Sequence, residues 1–238
     1  MSAEIGQALV VQHTRDIFAR IERAARRSGR DPAQIRLVAA TKGVAADKVQ
    51  AALSAGVRVV GENRLQEAIG KMAAIGPRAD LEWHFLGRVQ RRKAKSIVGV
   101  FQLIHSLDSV ELARELDRRA EAAGIEQAVL VELNIGGEAS KAGFSPEEAR
   151  LALRELDRLT HLSVRGLMTI PPPTTDAEQA RPYFREVCER AQSYDEMGLT
   201  RVRMDELSMG MSNDFEVAVE EGATFVRVGA AMFGAHDV

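Results

Sequence analysis

The feature that most constrains the fold of this chain is a regular alternation of short apolar runs with longer helical segments. The helical segments are rich in alanine and glutamate, as in DSVELARELDRRAEAAG. Strands that alternate with helices form parallel sheets with right-handed crossovers, and eight such units can close a barrel. We therefore predict an α/β fold, a single (β/α)8 TIM-type barrel, with a doubly wound open sheet as the alternative. The eight predicted strands are 35–41, 57–61, 82–87, 101–107, 128–135, 163–170, 202–209 and 224–229.

An additional helix is predicted before the first strand. Apolar residues recur at near-helical spacing over 4–28, and Gly29 follows as a stop signal. We expect one domain over residues 1–238, with the leading helix of residues 1–30 packed on the barrel. N-terminal helix caps are expected at Asp108 or Ser109, at Ser145 and at Asn213.

The charge balance and the cysteine content narrow the function classes. The formal net charge is -2 and the sequence pI is near 6.3, so no basic excess points to nucleic acid or to a membrane surface. The N-terminus MSAEIGQALVVQH lacks a basic region followed by an apolar run, and no run is long enough to span a membrane. Cys188 is the only cysteine, which fits a reducing compartment. We expect a cytoplasmic protein.

The first predicted strand runs directly into a lysine, in LVAATKG at residues 37–43. Functional groups of such barrels lie at the carboxyl ends of the strands. Lys42 is therefore either a surface charge that closes the strand or an amine held in a pocket. Asn63, in GENR, falls at the corresponding end of the second strand.

Two further motifs fall at the ends of strands seven and eight, SMGMSND at 208–214 and RVGA at 227–230. Barrels commonly bind phosphate with these two loops and a helix N-terminus, whose free N–H groups favour an anion. Gly210 allows a tight turn, and a hydroxyl could come from Ser212, which could equally be a simple helix cap. Backbone N–H groups could come from Gly229 and Ala230.

Arg227 is a charged residue in an otherwise apolar strand. A buried arginine needs a partner, either Glu206 or Asp205 on the neighbouring strand or a ligand. A lysine, a phosphate cradle and an arginine at one barrel mouth suggest a phosphorylated aldehyde held as an imine, and pyridoxal phosphate (PLP) fits all three parts.

The whole chain resembles the pyridoxal phosphate homeostasis protein family, which is related to the barrel domain of bacterial alanine racemase and eukaryotic ornithine decarboxylase. The matching stretches are LVAATKG, VGENRLQEA, WHFLGRVQRRKAK, HSLDS, NIGGEASKAGF, VRGLMTIPP, LSMGMSNDFEVAVEEG and VRVGAAMFG. The resemblance implies that Lys42 forms the internal aldimine with PLP and that Asn63 lies beside the ring. It also implies that Ser212, Gly229 and Ala230 hold the phosphate and that Arg227 faces the pyridine nitrogen.

An arginine at that nitrogen disfavours ring protonation and makes the cofactor a weaker electron sink. We therefore expect a protein that stores, buffers or delivers PLP without strong turnover and contributes to vitamin B6 and amino-acid homeostasis. Its expected partners are PLP and PLP-dependent apo-enzymes, and a monomer is expected. The alternative is a PLP-dependent racemase or decarboxylase, which would need a second domain and an opposite base. The chain ends at FGAHDV after strand eight, and its two tyrosines, Tyr183 and Tyr194, both follow strand six.

The chain departs from the family pattern at two positions. Ala230 stands where Thr or Ser is usual, which predicts looser PLP retention, and Arg92 stands where asparagine is common. A third function class is nucleic-acid binding through GRVQRRKAK, although we favour a solvated helix start there. The five histidines show no metal-ligand spacing; we expect His84 to be a core residue and Lys141 to be solvated.

Overall fold

A computed structural model describes residues 2–138 and 140–234 of the chain, apart from the side chains of Ser2 and Ala3. His236, one of the five histidines, lies outside the described residues. The strands are β1 Arg36–Ala40, β2 Val59–Glu62, β3 Glu82–Phe85, β4 Leu103–Leu107, β5 Gln127–Leu133, β6 Leu162–Thr169, β7 Val202–Ser208 and β8 Phe225–Val228.

These eight strands form a closed barrel in sequence order, and each adjacent pair is parallel. The barrel closes where β1 pairs with β8, from Arg36 opposite Phe225 to Ala39 opposite Val228. The predicted (β/α)8 barrel is therefore confirmed, and the doubly wound sheet is wrong. Because all strands run the same way, all their carboxyl ends meet at one mouth.

Helices follow the strands, as the alanine- and glutamate-rich segments predict. Their bounds are α1 Ser2–Arg27, α2 Ala46–Ser54, α3 Leu65–Ile75, α4 Ala94–Ile97, α5 Val110–Ala123, α6 Pro146–Leu156, α7 Arg181–Asp195, α8 Phe215–Glu220 and α9 Ala230–Phe233. Short 3₁₀ helices lie at Pro32–Gln34, Arg91–Lys93 and Ala177–Ala180.

Two of the expected helix caps are confirmed and one is wrong. Ser109 accepts from the Leu112 N–H, and Ser145 forms a capping box with Glu148. Asn213 is not a cap, because α8 begins at Phe215 and its N-cap residue is Asp214. The Asp214 carboxylate accepts instead from the Met211 N–H at 2.6 Å and closes the loop before the helix.

The leading helix α1 packs against α2, α8 and α9, which flank the junction of β1 with β8. Its buried face includes Val10, Ile17 and Ile21. Two arginines tie its outer face to α8, with Arg20 to Glu216 at 2.8 Å and Arg27 to Glu220 at 2.7 Å. The helix therefore covers the strands that carry Lys42 and Arg227 at their ends.

The barrel interior holds a compact apolar cluster, as in other barrels of this type, made of Val38, Val59, Leu103, Leu130, Met168 and Phe225. The cluster includes the first residues of β2, β4 and β8 and extends to Met168, the second-last residue of β6. None of the helices that the structure describes is both long and apolar enough to cross a membrane.

Candidate functional site

A cavity of about 490 Å³ opens at the carboxyl ends of the strands. Its walls come from the end of β1 at Ala40 and from the loops after β2, β6, β7 and β8. Three successive prolines of the loop after β6, residues 171–173, form one wall. The volume lies in the usual range for sites that enclose a small ligand or cofactor.

Five of the six predicted site residues line this one cavity, namely Asn63, Ser212, Arg227, Gly229 and Ala230. Lys42 is exposed and lies outside the lining, two residues beyond Ala40, which does line it. Lys42 lies in the turn that follows β1. Within the part of the chain that the structure describes, the Lys42 ammonium makes no hydrogen bond or ion pair.

The backbone before Lys42 is held by a buried ion pair. The Lys71 ammonium donates to Glu62 Oε1 at 2.5 Å and to the Thr41 carbonyl oxygen at 2.5 Å. The Thr41 hydroxyl also donates to Glu62 Oε1. Glu62 and Thr41 are fully buried, and Lys71 is 7% exposed. The end of β1 is therefore fixed by charge-assisted hydrogen bonds, which are stronger than neutral ones.

The backbone after Lys42 is held by α3, the helix that also carries Lys71. The Gly43 N–H donates to Glu67 Oε2 at 2.8 Å, and Glu67 lies 3.8 Å from the Lys71 ammonium. The hydrogen bond from Gly43 is the main reason that the pKa of the Glu67 carboxyl lies below its ordinary value. Both neighbours of Lys42 are thus held by hydrogen bonds to side chains of α3.

The loops after β7 and β8 meet at Ser212. Its hydroxyl oxygen accepts from the Ala231 N–H at 3.1 Å, which leaves the hydroxyl hydrogen available for an acceptor in the cavity. Gly210 has a φ of +87°, a conformation that other residues rarely adopt, so the tight turn does require glycine. A Cβ at Gly229 would lie 2.9 Å from the Ala40 carbonyl oxygen. The loop after β8, one of the two loops predicted to bind phosphate, therefore packs directly on the end of β1.

Arg227 is 6% exposed and lines the cavity. It pairs with neither Glu206 nor Asp205. Its guanidinium donates from Nη1 to Ser208 Oγ at 2.6 Å and from Nη2 to the Thr169 carbonyl oxygen at 2.8 Å. Burial lowers the pKa of Arg227 to about 10, which still leaves it cationic at neutral pH. Further N–H groups of the fork remain available to an acceptor in the cavity.

Sequence reasoning missed several residues of the cavity. His105 lines it and is fully buried, and Asp214 lines it with a carboxyl pKa raised by burial. The signal for His105 was present in the polar pair HS inside the apolar strand LIHSL. Lys141, expected to be solvated, is exposed; it also lines the cavity and lies 3.6 Å from Glu138.

Other sequence features have plainer surroundings. The basic segment at 88–95 forms a 3₁₀ turn and the one-turn helix α4, and Arg88 pairs with Asp108 at 2.9 Å. Arg92 is exposed and donates a hydrogen bond to Gln90. This contact gives Arg92 no role at the site. Among the described residues, no group of three acidic, histidine or cysteine side chains could hold a metal ion.

Comparisons with known proteins agree with this fold. Residues 13–237 match the family described as alanine racemase, N-terminal domain. The pyridoxal phosphate homeostasis protein of Aquifex aeolicus is 44% identical over 219 residues, covering 92% of this chain and 94% of that protein. An unknown protein from Bifidobacterium adolescentis has a similar crystal structure, with a TM-score of 0.91, 34% identity and 96% of each chain covered.

A third comparison concerns the PipY protein of Synechococcus elongatus, whose structure was solved with PLP bound. It has a TM-score of 0.78 and 38% identity, and the match covers 90% of this chain and all of that one, 100%. The fold and the cavity at its carboxyl-terminal mouth thus define an alanine racemase-like barrel. Within that class, the chain belongs to the pyridoxal phosphate homeostasis protein family.

Proposed function

We propose that this protein binds PLP at the carboxyl-terminal mouth of the barrel, holds it as a lysine aldimine at Lys42, and serves vitamin B6 and amino-acid homeostasis in the cytoplasm without strong turnover. The observation that carries the proposal is the convergence of five predicted residues on one cavity, near Lys42, whose ammonium has no hydrogen bond or ion pair among the described residues. The names of the relatives and the PLP in PipY support the choice of ligand.

The residues fit the parts of PLP. Ser212 has a free hydroxyl hydrogen, and Gly229 begins the last helix without a side chain, so both suit a phosphate. Arg227 suits the ring nitrogen, because its unused N–H groups can donate to an unprotonated pyridine. Bound PLP supplies an electrophilic aldehyde and an electron-withdrawing ring. The Lys42 nitrogen would take the place of the aldehyde oxygen, which leaves as water.

The enzyme alternative needs a second base on the opposite side of the ligand. Both tyrosines lie in α7, and neither lines the cavity. The Tyr194 hydroxyl is engaged at 2.6 Å with the Pro146 carbonyl oxygen, and burial raises its pKa to about 12. A protonated, bonded phenol at that place is unsuited to abstracting a proton from a ligand in the cavity. These observations favour holding the cofactor over racemization or decarboxylation.

The proposal is tested by adding PLP to the purified protein and recording visible imine absorbance. Borohydride should convert the imine to a stable adduct, which peptide mass mapping should place on Lys42. The Lys42→Met variant should lose the absorbance, and Lys141→Met, which removes the other lysine of the cavity region, is the matched control and should retain it. An adduct on another lysine, or no absorbance in the wild type, would sink the assignment.

Turnover is tested separately with the same preparation. Incubation with D- and L-alanine, serine and lysine should give no racemization or decarboxylation at ordinary enzyme rates, of about 1 to 10³ per second. Rates in that range would favour the enzyme alternative. Because the imine test and the turnover test are independent, the ligand and the lack of turnover can be judged separately.

A further inference from the structure

A continuous chain of hydrogen bonds passes through the core of the barrel. At its amino-terminal end, Glu82 Oε2 lies 3.0 Å from His84 Nε2. His84 Nδ1 lies 3.0 Å from His105 Nε2, and His105 Nδ1 lies 2.8 Å from Ser208 Oγ. Ser208 Oγ then accepts from Arg227 at 2.6 Å. Five side chains from four strands thus form one polar line inside an apolar barrel.

The direction of every hydrogen bond in this chain follows from its two charged ends. Arg227 can only donate, so Ser208 accepts from it and gives its own hydrogen to His105 Nδ1. A neutral His105 then carries its proton on Nε2 and donates to His84 Nδ1. His84 in turn donates from Nε2 to the Glu82 carboxylate, which can only accept. Both ends therefore specify the same tautomer at both histidines.

Both histidines are neutral, as this scheme requires. Burial holds the pKa of His105 well below its ordinary value, and burial also lowers the pKa of His84. The hydrogen bond from His84 is the main cause that lowers the pKa of Glu82 to about 2, so the acceptor end is ionised. His105 and His84 are 0% and 1% exposed.

The chain joins two cavities at opposite ends of the barrel. His105 and Arg227 line the large cavity at the carboxyl-terminal mouth. His84 and Glu82 line a smaller cavity of about 100 Å³ at the amino-terminal end, together with Glu206. Contact between the two imidazoles is the link, and apolar side chains such as Phe225 pack around it at 5.3 Å and 5.6 Å between ring centres.

Arg227 needs such an acceptor because, among the described residues, it has no carboxylate within ion-pair distance. A buried cation without a partner is costly, and hydrogen-bond acceptors must stabilise it instead. We propose that Glu82, His84 and His105 are positioning residues that act through Ser208: they form a relay of fixed direction that holds the Arg227 guanidinium with its remaining N–H groups toward the cavity.

The tautomers can be measured by ¹⁵N NMR of the labelled full-length protein without any cofactor. His84 and His105 should each show a protonated Nε2 and an unprotonated Nδ1 at neutral pH. Ser208→Ala combined with Glu82→Gln removes the donor at one end and the charge at the other. In that variant both histidines should populate both tautomers, because neither end then defines the direction.

The matched control is Glu206→Gln, which changes a carboxylate that lines the same small cavity and makes no hydrogen bond to the five side chains of the relay. It should leave both tautomers as in the wild type. A proton on Nδ1 of either histidine in the wild type, or wild-type tautomers retained in the double variant, would refute the relay.

Positioning of Arg227 has its own readout in the same samples. Hydrogen exchange of the Arg227 guanidinium should be about tenfold faster in the double variant than in the wild type, a factor that corresponds to about 1.4 kcal/mol. Unchanged exchange would show that the relay does not hold the guanidinium. The inference that this serves PLP rests on the proposed function. If the wild type showed no imine absorbance after PLP addition, that function would be contradicted, and the NMR results would still be valid.

Discussion

The Lys71 ammonium donates a hydrogen bond of 2.5 Å to the carbonyl oxygen of Thr41, the residue directly before Lys42. The same ammonium is paired with the fully buried carboxylate of Glu62 at 2.5 Å. A residue of α3 thus fixes the end of β1 from outside the barrel. Lys42 stands on a rigid support, as groups that must meet a ligand in a defined geometry require.

The first prediction concerns this support. Lys71→Met should lower the free energy of unfolding by about 3–5 kcal/mol, because it leaves the Glu62 carboxylate buried and unpaired. The double variant Lys71→Met with Glu62→Gln should recover part of that loss, since no uncompensated charge remains. Chemical denaturation of the four proteins of the cycle measures both effects. Equal destabilisation in the single and double variants would contradict the buried pair.

The second prediction concerns Ala230, which lines the cavity and has no hydroxyl to donate to a ligand there. Ala230→Ser should lower the dissociation constant for PLP about 2- to 12-fold, because one hydrogen bond contributes about 0.5–1.5 kcal/mol. Fluorescence or absorbance titration with PLP gives the constant. Ala231→Ser is the control, since Ala231 lies beside Ser212 but outside the cavity lining. A similar gain in both variants would show that the position is not specific.

The third prediction is a pH dependence. His105 and His84 have lowered pKa values in the folded protein because they are buried, so the unfolded chain takes up protons that the folded chain does not. Stability from these residues is complete above about pH 6.5 and is lost as the pH falls. The loss should approach about 1.4 kcal/mol per pH unit for each histidine.

The variant His105→Gln isolates one of these two contributions. Its free energy of unfolding should fall less steeply than that of the wild type between about pH 6.5 and 5. Urea denaturation at several pH values measures the slopes, and their difference cancels groups common to both proteins. Parallel slopes would mean that His105 is protonated in the folded state.

Periodicity alone predicted all eight strands, because most of them are apolar and all are bounded by helical or turn-forming segments. It also predicted which loops meet at the mouth, since parallel strands leave no other arrangement. It could not find the chain from Glu82 to Arg227. Those contacts join residues up to 103 positions apart, and each looks locally like an isolated polar residue in a strand. The position of Lys42 outside the cavity lining was likewise unpredictable, because it depends on a side-chain rotamer and not on the pattern.

The Asn213 cap failed for a related reason. Asparagine and aspartate stand side by side in SND, and both favour helix N-caps. Which one begins the helix depends on the loop, where the Asp214 carboxylate turns back to the Met211 N–H. The three prolines at 171–173 each have a restricted backbone φ, and they form one wall of the cavity. Local sequence therefore indicates the elements, while contacts across the barrel mouth decide the details of the site.

The fourth prediction tests the contact between the last loop and the first strand. A Cβ at Gly229 would lie 2.9 Å from the Ala40 carbonyl oxygen. This contact can be relieved only if the loop after β8, or the strand that leads to Lys42, shifts. Gly229→Ala should therefore lower the free energy of unfolding by about 1–3 kcal/mol, the usual cost of overpacking. It should also weaken PLP binding by at least about tenfold, or about 1.4 kcal/mol, because the loop and the strand end both face the cavity.

Gly70→Ala is the matched control: it lies within α3 with no atom within 4 Å of the added Cβ, so it should be stabilising by about 0.5–1 kcal/mol and leave PLP binding unchanged. Thermal or chemical denaturation and PLP titration on both variants measure the two effects. If Gly229→Ala bound PLP as tightly as Gly70→Ala, the close packing of this loop on β1 would have no part in holding the ligand.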